Sequence, residues 1–151
     1  MDNDISIENI GIEDSIVLSL HKPAWEKILS GQKKYEFRRR FRRKRTLAFI
    51  YVTSPVKEIQ GVIILDKPIE GTAKEIAELA EKAIPGNGHS VYDYFIEKDF
   101  GLAIPIVNVM KLEPVSLNSL RDKYNFFAPQ FYMMLKENKS MHDELMKRIL
   151  T

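Results

Sequence analysis

The sequence predicts an α+β fold: a small, partly closed mixed β-barrel surrounded by helices. Three observations lead there. Short apolar runs of strand character (SIVLSL, LAFIYV, EIQGVIIL, LAIPIVNV) are interleaved with amphipathic helical stretches, without the regular repeat of a doubly wound sheet. The segment KKYEFRRRF alternates apolar and charged residues, as a strand with one buried face does. At 151 residues, with 44% hydrophobic and 29% charged side chains, the chain suits one domain with a sizeable core.

Taken in order, residues 1–13 read as a loose polar lead-in to a single domain over 14–151 that ends in a C-terminal helix. SIVLSL, residues 15–20, is the first strand. HKPAWEKILSG is a helix: Pro23 suits its first turn, Gly31 suits a left-handed stop, and Trp25, Ile28 and Leu29 form its apolar face. In KKYEFRRRF, Tyr35, Phe37 and Phe41 fall on one strand face and Glu36, Arg38 and Arg40 on the other. RRKRT is an exposed connection. LAFIYVTSP is a central strand ended by Pro55, and EIQGVIILDKPIEG is another, with Gly61 marking a bulge.

TAKEIAELAEKA is a helix opened by a capping box, Thr72 with Glu75, and buried along Ile76, Leu79, Ala80 and Ala83. PGNGH is a loop and SVYDYFIEKD a short helix from Ser90. LAIPIVNVMKLEPVSL gives one long or two short strands. SLNSLRDKY and QFYMMLKENKSMHDELMKRIL close the chain as helical segments. In the tail, Leu135, Met141, Leu145 and Ile149 can pack on the barrel or on a second copy. No internal repeat or low-complexity linker is present.

The composition excludes several function classes. With no cysteine, there are no disulfides and no thiolate metal sites. His21, His89 and His142 are scattered without metal-ligand spacing, so no metal and no cofactor are expected. PGNGH does not lead from a strand into a phosphate-binding helix. No apolar run approaches the roughly 20 residues needed to span a bilayer, and the acidic start MDNDISIENIGIED is no signal peptide. A cytoplasmic protein without a membrane partner is the expectation.

Charge is unevenly placed. The chain has 23 basic and 21 acidic residues, yet GQKKYEFRRRFRRKR, residues 31–45, holds nine of the basic ones and a single acid, Glu36. Such a concentration draws phosphates, and each contact to a nucleic-acid backbone releases counterions. The alternative is structural: the charges meet acids on the rest of the surface, which is net acidic.

Within that run, GQKKYEFR fits the pattern GxKxxExR through Gly31, Lys33, Glu36 and Arg38. The pattern resembles the signature of the ASCH domain of the PUA-like superfamily. LSLHKPAWEKILSG, FIYVTSPVKEIQGVIIL, GLAIPIVNVMKLEPVSLNSLR and APQFYMML resemble its opening strand and helix, strand–Ser–Pro–strand segment, late strand and closing proline-glutamine helix. The resemblance covers most of residues 15–135. It implies a PUA-like barrel with a cleft beside the motif strand, and RNA binding. A few members are enzymes; one branch hydrolyses 4-acetylcytidine and nuclease activity occurs too. In the acetylcytidine branch a Thr follows the Lys three residues on, whereas Glu36 follows Lys33 here.

The resemblance and the charges together give the candidate residues. Lys33, at the helix-to-strand turn, can bind a phosphate, or act as a base if buried. Glu36 and Arg38, two apart on one strand face, are neighbours. Glu36 can accept from a base amino group while Arg38 grips a phosphate or carbonyl, or the two form a structural ion pair. Nucleic-acid contact is expected from Lys33, Lys34, Glu36, Arg38, Arg40, Arg42, Arg43, Lys44 and Arg45. The cleft is expected to include His21, Lys22, Ser54 and Gln130. Tyr92, Tyr94, Phe95, Phe126, Phe127, Phe131 and Tyr132 either stack on bases or fill the core. The preferred function is a module for RNA or another single-stranded nucleic acid. The alternatives are a hydrolase of a modified nucleoside or RNA, with Lys33 and Glu36 as its acid–base pair, and a protein-binding regulatory adaptor.

Overall fold

In the computed structural model, which describes residues 7–150, two strands buried along their whole length form the centre of the sheet: β1 (Ser15–Leu20) and β3 (Thr46–Val52). They pair in parallel, Ser15 opposite Leu47. Their near-continuous apolar sequences follow from burial on both faces. Antiparallel β4 (Glu58–Leu65) lies beyond β3, and the long β6 (Gly101–Ser116) beyond β4. The first part of β6 also pairs with β2 (Tyr35–Arg38) and with β5 (Ile69–Gly71). A last strand, β7 (Tyr132–Met134), pairs antiparallel with β1. The seven-stranded mixed sheet runs β2-β6-β4-β3-β1-β7, with β5 beside β6, and curls into a partly closed barrel.

Helices α1 (Lys22–Leu29), α2 (Ala73–Ala83), α3 (Gly88–Phe95), α4 (Leu117–Tyr124) and α5 (Lys139–Lys147) surround it. The twofold side-chain period of the strands divides the core. Val17, Leu47, Phe49 and Tyr51 face Leu120 of α4 and Met141 and Leu145 of α5. Ile7 and Ile10, within the expected lead-in, pack against the same group. The alternate residues Ile16, Leu18, Leu20, Ala48 and Ile50 face Trp25 and Ile28 of α1. A third group, Ile76, Ala80, Val91 and Phe95, joins α2 and α3 to β2 through Tyr35 and Phe37.

Gly61 explains how α1 is seated. It lies at a register shift of the β4–β6 pair, the expected bulge, and a Cβ there would overlap the six-membered ring of Trp25. The bare backbone lets the indole lie flat on β4. The Thr72–Glu75 capping box is present in both directions, at 3.2 and 2.8 Å.

Four local expectations are corrected. β2 ends at Arg38 because its pairing partner on β6 runs out at Leu102, next to the strand start at Gly101. Phe41 therefore leaves the face of Tyr35 and Phe37 and packs in the α1 group against Phe131 and Tyr132, at 6.1 and 5.3 Å between ring centroids. The segment around Tyr132 is a strand and not a helix: the second edge of β1 is buried, and its backbone groups need partners. Pro129 and Gln130 accordingly precede a strand, with no helix start there. Leu29 is 39% exposed and lies off the buried face of α1, and α3 begins at Gly88, two residues before Ser90.

Candidate functional site

The end of β1, the Pro23–Lys27 stretch of α1 and the Glu36–Arg38 part of β2 enclose a cleft of about 380 Å³. Local sequence sets its walls. His21 caps α1, its Nδ1 accepting from the Ala24 N–H at 3.3 Å, and Pro23 occupies the first turn. After α1, Gly31 takes φ +80°, and the Lys33 N–H donates to the Lys27 carbonyl at 2.9 Å. That turn swings Lys33 back over the helix before β2 begins.

Glu36 lines this cleft and is only 7% exposed. Its Oε1 lies 3.3 Å from Lys33 Nζ, and its Oε2 accepts from Arg38 Nε at 2.9 Å and Nη2 at 2.6 Å. One carboxylate is thus held by two cations, which offsets the cost of taking it out of water and leaves the triad net positive. The Arg38 guanidinium rests on the Phe131 ring, 3.9 Å from its centroid. Ser19 fixes that ring's segment to β1: its Oγ donates to the Pro129 carbonyl at 2.7 Å and its N–H to the Phe131 carbonyl at 2.9 Å.

The cleft therefore brings together His21, Lys33, Glu36 and Arg38. Ser19 and Lys27 join them, and neither was anticipated from sequence. Lys27 lies one turn beyond Pro23 and Ala24, so helical spacing from the His21 cap contained that signal. Lys22, Ser54 and Gln130 are exposed and outside the cleft lining.

The basic run divides into two groups. Arg42 donates to Asp14 and to Thr46 Oγ1, Arg43 pairs with Glu70 at 2.9 Å, Lys44 lies 4.0 Å from Asp14, and Arg45 pairs with Asp66 at 3.3 Å. These four meet acids of the body, the structural alternative. Arg39 donates to the Tyr94 carbonyl at 2.7 Å and stacks over the Tyr94 ring at 4.0 Å, with no carboxylate of the described residues on it. Arg40 and Lys34 are exposed and make no ion pair among the described residues.

Of the aromatic residues, Phe95 and Phe126 are core, while Phe127 is 60% exposed beneath Arg121. Among the described residues no group of three or more His, Asp or Glu side chains is placed to hold a metal ion, and no helix is long and apolar enough to cross a membrane.

No family model matches the chain. An ASCH domain-containing ribonuclease of Zymomonas mobilis is 27% identical over 127 residues, spanning 82% of this chain and 86% of the relative. The crystal structure of ASCH from Zymomonas mobilis superposes with a TM-score of 0.76 at 25% identity, covering 92% of this chain and 98% of that one. The N-terminal domain of Staphylothermus marinus McrB shares the fold alone, with a TM-score of 0.59 at 13% identity over 91% and 96% of the two chains. With the GxKxxExR segment folded along one wall of a cleft in a PUA-like half-barrel, this chain is similar in both sequence and structure to ASCH domain proteins.

Proposed function

We propose that the chain binds single-stranded RNA, with one nucleotide in the cleft at Lys33, Glu36 and Arg38. The observation that carries this is the buried carboxylate clamped by two cations inside a nucleotide-sized opening. The clamp leaves hydrogen-bonding capacity unspent. Arg38 Nη1 and the remaining ammonium hydrogens of Lys33 are available to a phosphate or a base carbonyl. The second lone pairs of Glu36 can accept from a base amino group, so acceptors and donors stand side by side as a base edge requires. Lys27 adds a further cation to the rim. The fold and the ribonuclease relative support RNA as the polymer.

Backbone contact falls to the cations that no acid among the described residues neutralises: Lys34, Arg39 and Arg40. The Arg43–Glu70 and Arg45–Asp66 pairs are roughly half exposed, and such pairs exchange partners at little cost. Arg42, with its side chain 14% exposed and shared between Asp14 and Thr46, is structural.

A second reading, RNA cleavage in the same cleft, is favoured by the ribonuclease relative and by the imidazole of His21 in the lining. Lys33 and Arg38 would then stabilise charge developing on the phosphate, and His21 would handle the proton. The test is equilibrium binding of labelled single-stranded RNA, single-stranded DNA and duplex DNA, with each mixture then run on a denaturing gel over time. Tightest binding to intact RNA is expected; shortened RNA establishes the second reading. Equal, weak binding of all three with no cleavage overturns both.

A further inference from the structure

A second pocket, of about 170 Å³, adjoins the Glu36 cleft. Lys27, Lys33 and Phe37 line both, so the two openings share a wall bearing two ammonium groups. Beyond that wall the chemistry changes. The first opening contains a carboxylate; the second contains none, and is lined by Tyr35 and Phe37, by Lys34 and by the amide of Asn87. The two rings lie 6.0 Å apart and inclined by 36°, and Lys33 Nζ is 5.8 Å from the Phe37 centroid. Lys27 and Lys34 make no ion pair among the described residues. The pocket is smaller than the roughly 300–1,000 Å³ of sites for drug-sized ligands, a size for one flat ring.

Its outer wall is braced. The Glu81 carboxylate of α2 accepts from the N–H groups of Gly86 at 2.7 Å and Gly88 at 2.9 Å, holding the loop that presents Asn87. A ring-sized pocket with aromatic walls, an amide at its edge and cations along one side has the features that hold a stacked base.

We propose that the two pockets are consecutive subsites for one RNA strand. One nucleotide occupies the Glu36 cleft, the neighbouring base enters the Tyr35–Phe37 pocket, and the phosphate joining them lies across Lys27 and Lys33. The ligand is therefore an oligonucleotide of at least two residues, in preference to a free nucleoside. This rests on the RNA reading above and adds to it the length of strand engaged.

The experiment measures dissociation constants for a nucleoside monophosphate, a dinucleotide and a trinucleotide of RNA. The dinucleotide is expected to bind about 5- to 150-fold more tightly than the monophosphate, the range for one added stacked base. Ala83→Phe, at the half-exposed last residue of α2 in the pocket lining, is expected to abolish that gain while leaving the monophosphate affinity unchanged. Lys34→Ala, a surface change that cannot endanger the core, should reduce the gain in the same direction and decides the matter if Ala83→Phe does not fold. A dinucleotide that binds no tighter than the monophosphate, or a gain that survives both substitutions, overturns the two-subsite inference while leaving the first cleft intact. Absence of binding by any of the three ligands overturns the RNA reading itself.

Discussion

Replacing Glu36 by Gln keeps the shape of the side chain and removes its charge, so it isolates the clamp. Lys33 and Arg38 would then share a cleft with no counter-charge between them. Removing one partner of a fully buried pair costs about 3–5 kcal/mol, whereas an exposed pair contributes at most about 1 kcal/mol. The Glu36 side chain is 9% exposed and its partners 22% and 29%, so the loss falls between these limits, at about 2 kcal/mol. For a chain of this length each kcal/mol moves the thermal midpoint by roughly 2–4 °C, which gives a drop of about 4–8 °C. Circular dichroism melts at neutral pH read it directly. Adding Lys33→Met to Glu36→Gln should recover part of the loss, because one stranded cation is removed. A midpoint unchanged in Glu36→Gln, or strictly additive losses in the double variant, would refute the clamp as the element that stabilises this face.

Three further outcomes follow from the geometry. Arg40→Ala should weaken RNA binding without moving the thermal midpoint, while Arg42→Ala should lower stability by the order of 1 kcal/mol with little effect on affinity, since Arg42, unlike Arg40, is tied to Asp14 and Thr46; parallel melts and titrations separate them. Gly61→Ala should cost at least about 1–3 kcal/mol in denaturant unfolding, because its methyl group meets the Trp25 ring on one side and the Met110 carbonyl, 3.1 Å away, on the other. The Gly86 and Gly88 N–H groups hold the Glu81 carboxyl below its ordinary value of 4.5 by stabilising the ionised form. The folded state therefore binds that proton more weakly than the unfolded chain, and the contribution is complete above about 4.5 and lost as pH falls through the lowered folded value. Melts of wild type and Glu81→Gln should accordingly differ at neutral pH and converge as pH falls below about 4.5.

The strands that run through the core were legible because burial on both faces demands continuous apolar sequence: β1, β3 and β4 all appear where SIVLSL, LAFIYV and EIQGVIIL stand. Helix limits set by local chemistry were legible too, at the Thr72–Glu75 box and at Gly31. β7 was not, because its strand character comes from the free edge of β1 more than a hundred residues earlier and not from its own sequence. The same distance effect governs the site. Glu36 and Arg38 could be read as neighbours from their spacing alone. The destinations of the arginines could not, since Asp14, Glu70 and Asp66 are brought to Arg42, Arg43 and Arg45 only by the folded sheet. Nor could the support of Arg38 by Phe131, which joins the end of β2 to the residue before β7, from opposite ends of the strand order.

The central claim is that the clamped carboxylate reads a base while surrounding cations hold the backbone. The most direct test is fluorescence anisotropy of short single-stranded RNAs of each base composition, titrated with wild type and Glu36→Gln across a range of salt. The wild type should prefer one composition, and its log affinity should fall with log salt by about 0.7 for each phosphate neutralised. Glu36→Gln should keep that salt slope, or steepen it, while losing the preference, because the charge is gone, one of the two acceptor oxygens becomes an amide donor, and the cations remain. Equal binding of all compositions by the wild type, or a preference untouched by Glu36→Gln, contradicts the account and reduces the site to a structural ion cluster on a generic cationic surface.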